Sequence, residues 1–147
     1  MTIDISNWFI KDEFLFELKI GDNLEKALPK IQINDFTFIG TPESGYFQNK
    51  MGIRIGFSNQ KVDEIGVLFD NDQSIILFKN QYVSFNFRNK KIHEVLNFLN
   101  DTLILWSPIE SSDTNYLMIK LKQTSIVLIF DIFEGVLTKI VKSDLRI

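Results

Sequence analysis

Residues 46–68, YFQNKMGIRIGFSNQKVDEIGVL, decide how the fold is read. Ile53, Ile55 and Phe57 alternate with Arg54, Gly56 and Ser58, the period of two that sends successive side chains to opposite faces of a strand. Lys50-Met51-Gly52 and Ser58-Asn59-Gln60 interrupt the alternation with turn formers. Three strands are expected between Gly45 and Phe69. Turns this short fit an antiparallel meander, because parallel strands need long crossovers.

Working outward, the same order of elements occurs twice. Upstream, Leu24, Ala27, Leu28 and Ile31 fall at i, i+3, i+4 and i+7, a helical stripe, with Asp22 and Glu25 placed as a capping box. In the second half Ile92, Val95, Leu96 and Leu99 repeat the stripe, and Ile126, Leu128 and Phe130 repeat the alternation. Leu137 and Ile140 answer Val62 and Ile65, while Pro108 and Tyr116 answer Pro42 and Tyr46. This pattern predicts an α+β fold, with two tandem helix-plus-antiparallel-sheet repeats at about 14–79 and about 82–147. No Pro-, Gly- or Ser-rich linker separates them, so both are expected to pack as one two-layer domain over residues 1–147.

Other elements follow from local signals. Phe14, Phe16, Leu18 and Ile20 predict a strand, and Pro29 predicts that the first helix ends near Leu28 or kinks there, moving Ile31 off its apolar face. Asp70-Asn71-Asp72 predicts a hairpin turn between 67–69 and 75–78, and Val83, Phe85 and Phe87 a further strand. Asn89 is placed to cap the second helix, and strands are expected at 103–106, 115–122, 125–130 and 136–141.

With 45% apolar residues, 14 of them Phe, and 24% charged, the composition is that of a folded chain. A net charge of −3 disfavours nucleic-acid binding, which needs a basic face for phosphates. Cysteine is absent, which excludes disulfides, a thiolate nucleophile and cysteine-ligated metal. The N-terminal MTIDISNWFIKDEF carries acidic residues where a secretory signal has positive charge, and the apolar run Ile126 to Phe130 is far below the roughly 20 residues that span a bilayer. A cytoplasmic protein without membrane contact is expected.

The sequence names no reaction. His93 is the one histidine and lies on the face of its helix away from the apolar stripe, as a solvated residue would. Asp70-Asn71-Asp72 lacks the glycine and the distal glutamate of a calcium loop, since Ile75 and Gln81 stand there. No metal, no cofactor and no enzymatic activity are expected. Asp63 and Glu64 are adjacent, and adjacent residues of a regular strand point to opposite faces. The aromatics Tyr46, Phe47, Tyr82, Phe85, Phe87, Trp106 and Tyr116 leave two readings open, a core or a binding face. On the second reading Tyr46, Tyr82, Phe85 and Trp106 anchor a protein partner. Asp63, Glu64, Asp70, Asp72, Glu110 and Asp113 form an acidic rim that steers a basic one.

The run from Tyr46 to Leu68, with its preceding helix and proline loop, resembles part of the repeat in beta-lactamase inhibitory protein and in the small outer-membrane lipoproteins of the SmpA/OmlA type. Ile92 to Ile140 offers a looser second match. The chain departs from those families in having no cysteine for lipidation or a disulfide. As a small, acidic, cysteine-free domain it also looks like the immunity proteins encoded beside bacterial toxins. That resemblance implies a protein that binds and inhibits a cognate, basic toxin domain, with nucleases among the toxin classes, as a monomer or weak homodimer. An adaptor, a secretion chaperone and a small-ligand-binding domain are the alternatives.

Overall fold

Short alternating runs become strands almost throughout, and strand accounts for 45% of the residues against 19% for helix. The computed structural model describes residues 2–14, 17–32, 36–69 and 74–143. The chain begins with strand β1 (Thr2–Asp4) and helices α1 (Ser6–Lys11) and α2 (Leu24–Gln32). There follow β2 (Thr37–Gly40), β3 (Ser44–Gln48), β4 (Ile53–Ser58), β5 (Lys61–Leu68), β6 (Ile75–Lys79) and β7 (Ser84–Asn86). After helix α3 (Ile92–Asp101) come β8 (Trp106–Ile109), β9 (Tyr116–Leu121), β10 (Val127–Asp131) and β11 (Leu137–Ser143). The expected α+β class of helix-plus-sheet repeats is therefore incorrect: the fold is β-rich, with eleven strands and three helices among the described residues. Four-residue runs such as β2 and β8 find partners and count as strand, and a second sheet takes β6 from the end of the first expected repeat, β7 from the start of the second and β1 from before both.

The large sheet is antiparallel throughout, in the order β2-β3-β4-β5-β11-β10-β9-β8. Its two four-stranded meanders meet at the centre, where Gly66 lies opposite Val141 and Val67 opposite Ile140. The β3–β4 turn is built by Asn49, whose Oδ1 accepts hydrogen bonds from the amides of Met51 at 3.1 Å and Ile53 at 2.9 Å. Gly52 completes it at φ 86°, where an added Cβ would stand 2.3 Å from the Leu68 carbonyl oxygen. In the small sheet β1 runs parallel to β6, and β7 pairs antiparallel with β6 on its other side.

One face of the large sheet is apolar and buried. Ile53, Val67, Ile140, Leu128 and Ile119 stand in one cross-strand row, each virtually inaccessible. Burying each such side chain stabilises the fold by about 1.5–3 kcal/mol. Their cluster also takes in Trp8 and Phe9 of α1, Ala27 and Ile31 of α2, Val95 and Leu99 of α3, and Ile76 and Phe78 of β6. Within it Phe98 stacks on Phe85 at 4.3 Å and meets Phe78 and Phe87 edge-on at 5.1 and 5.5 Å.

Several local expectations change. No strand forms in the described part of 14–20, because Glu17 takes a left-handed φ of 57° that ends any extended run, while the described N-terminal residues supply β1 and α1 instead. Pro29 lies inside α2, and Leu24, Ala27 and Ile31 are all buried. Proline removes one amide donor, the one that would reach the carbonyl of Glu25, and Glu25 lies in the exposed first turn of this short helix. The 67–69 and 75–78 segments do not pair: Leu68 faces Lys139 of β11, whereas Ile75 and Ile76 pair with Thr2 and Ile3. The turn Asp70-Asn71-Asp72 lies outside the described residues. Helix α3 is capped at Lys91, whose amide donates to Glu94 Oε1 at 3.2 Å, while Asn89 takes φ 59° two residues earlier. Leu103 at φ 60° delays the next strand to Trp106.

Candidate binding face

The second face of the large sheet is mixed, with Arg54, Glu64 and Lys139 sharing it with Leu68, Met118 and Ile129, and the buried cluster lies on the side opposite to it. Its central feature comes from a β-bulge in β5. Ile65 pairs with Ile55 and Glu64 with Gly56, but Phe57 then pairs with Val62, so Asp63 is an extra residue. The bulge turns both acids to one face. A Cβ built on Gly56, which looks out on that face, would stand 3.0 Å from Glu64 Cβ and 3.1 Å from Asp63 Oδ1. The expectation that adjacent carboxylates diverge is overturned here, because it assumed an unbroken period of two.

Around this pair the face is ordered by side-chain contacts. Asp63 Oδ2 accepts from Ser58 Oγ at 2.7 Å, and Lys139 Nζ reaches Glu64 Oε1 at 3.2 Å across Gly66, which leaves the space open. The Arg54 guanidinium lies 3.7 Å above the Tyr46 ring. Its buried Nε has no hydrogen-bond partner among the described residues. Beyond Lys139 the surface sinks into a depression of about 410 Å³. Leu68, Met118 and Ile129 line it together with Tyr116, Asp113 and Asp131. Asp113 and Asp131 are each anchored through one carboxylate oxygen, which accepts the amides of Asn115 at 3.0 Å and Phe133 at 2.9 Å.

Of the residues singled out in the sequence, Tyr46, Asp63, Glu64 and Asp113 share this face, and Glu110 is exposed at the end of β8. Tyr82 stands apart in the β6–β7 turn of the small sheet, 84% exposed. Phe85 belongs to the aromatic cluster through its stack on Phe98. Trp106 packs against the core, and its Nε1 donates to Asn100 Oδ1 at 3.0 Å. Asp70 and Asp72 lie outside the described residues. His93 is exposed. Sequence reading missed Arg54, Lys139 and Asp131, which join the face only through cross-strand register. The bulge, by contrast, left a signal: Val62, Ile65 and Val67 are spaced three and then two apart.

Among the described residues, no cluster of His, Cys, Asp and Glu is suited to hold a metal ion, and no helix is long and apolar enough to cross a membrane. Comparison with known proteins finds no match to a family model, to a curated protein or to a solved structure.

Proposed function

We propose that the protein is a protein-binding module whose open sheet face holds a basic partner, and that this partner is a cognate toxin domain which it inhibits in the bacterial cytoplasm. The observation carrying the reading is the β5 bulge, which gathers Asp63 and Glu64 beside Tyr46 on a face that no described element covers. Carboxylates on an aromatic, partly apolar surface suit lysine and arginine side chains, whose stems need apolar contact and whose heads need charge. A nuclease, which presents basic groups to its substrate's phosphates, is the toxin class such a face would block.

Co-expression with the product of the adjacent reading frame, followed by co-purification and a growth-rescue assay, tests this. A one-to-one complex that restores growth, and that Asp63→Lys with Glu64→Lys weakens at least about tenfold, is the expected result. A neighbour that is harmless and does not bind would overturn it. The depression at Met118 favours a second reading, a small-ligand site, since about 410 Å³ lies within the range of ligand pockets. An organic cation bound with its apolar body on Met118 and Ile129 would distinguish that case, through loss of binding in Met118→Lys.

A further inference from the structure

The large sheet ends in two edges, and they are unlike. At β8 the strand contains Pro108, which has no amide to offer an incoming chain, a common way of closing an edge. At β2 there is no such protection. Thr37, Phe38, Ile39 and Gly40 are all exposed, carry no charge and include no proline. Phe38 and Ile39, on opposite faces, remain 43% and 46% accessible.

The direction of the free backbone groups follows from the neighbouring ladder. Thr41 and Ser44 exchange hydrogen bonds, N to O in both directions, at 2.9 and 3.3 Å. Antiparallel pairs alternate, so Ile39 also bonds inward to Tyr46, whereas Phe38 and Gly40 turn their N–H and C=O groups away from β3. We propose that this edge pairs with the β2 edge of a second copy of the chain, about a two-fold axis passing beside Ile39 and perpendicular to the sheet.

This register satisfies every constraint of the edge at once. Phe38 of each copy lies opposite Gly40 of the other, which matches the outward amides and carbonyls of both. The same pairing sets the Phe38 ring, already packed on Phe47 at 5.3 Å, over the position where Gly40 has no side chain. Ile39 meets its own counterpart on the open face, in the close spacing of a non-hydrogen-bonded pair. A shift by one residue would place a core-facing side chain opposite an open-face one, which a two-fold perpendicular to the sheet forbids. Within residues 37–41 the seam brings no charged side chains together. It joins two eight-stranded sheets into one, with both acidic faces on the same side.

Two four-residue edges bury much less than the roughly 1,200–2,000 Å² of a stable complex, so the dimer is reversible, with a Kd on the order of 10–100 µM. Sedimentation velocity from about 10 µM to about 1 mM is expected to show the mass rising from that of the 17.2 kDa monomer toward twice that value. Ile39→Lys and Ile39→Glu, each placing like charges across the axis, are expected to remain monomeric with unchanged far-ultraviolet circular dichroism. Mixed at low salt, the two variants are expected to associate again, more tightly than either alone. A wild-type chain that stays monomeric throughout the range would overturn the proposal. So would charged variants that dimerise like the wild type, or a mixture that fails to associate.

Discussion

Replacing Phe98 by leucine tests whether the small sheet and α3 belong to the same cooperative unit as the large sheet. Phe98 is 5% exposed and touches three other rings, of Phe78, Phe85 and Phe87. Each aromatic pair contributes about 0.5–1.5 kcal/mol beyond its buried area. The three share one ring, so their sum is not fully additive. With the small cavity that leucine leaves, the expected loss is about 1.5–3 kcal/mol, from a total of about 5–15 kcal/mol for a domain. At a urea dependence of about 2 kcal/mol per molar, the midpoint falls by about 1 M. Equilibrium unfolding would be followed in a Trp106→Phe background, where fluorescence reports Trp8, buried against Phe14 at 4.7 Å, and circular dichroism reports the strands. Both signals are expected to shift together, because one core links them. A midpoint change below about 0.3 M, or a Trp8 transition separate from the strand transition, would refute the reasoning.

Three further perturbations address backbone geometry. Gly52→Ala forces a side chain to φ 86° and toward the Leu68 carbonyl, and is expected to cost at least about 2 kcal/mol in urea unfolding. Asn49→Ala removes the buried acceptor of two turn amides, those of half-buried Met51 and buried Ile53, at an expected cost of about 1–3 kcal/mol by the same measurement. Leu103→Gly should stabilise the protein by about 0.5–1 kcal/mol, raising Tm by about 1–4 °C in calorimetry. Leucine there sits at φ 60° and is 84% exposed, so little packing is lost.

Strands β4, β5 and β10 and helix α3 were legible because their apolar spacing is local, and burial of one face enforces it. Fold class was not legible: β2 and β8 are too short to show a period, and β1 precedes its partner β6 by seventy residues. The candidate site divides in the same way. Tyr46, Glu64 and Asp113 could be named from residue type, whereas Tyr82, Phe85 and Trp106 share that type and lie elsewhere.

By itself the sequence determined an antiparallel, cysteine-free, mildly acidic chain in which most alternating runs become strands, because side-chain period and turn chemistry act within a few residues. Only the tertiary structure decided that β5 joins β11, that β6 leaves the large sheet for β1, and that a bulge turns Asp63 toward Glu64. Each of these depends on which distant strand supplies hydrogen bonds, and one extra residue in a pairing changes the face on which every following side chain stands.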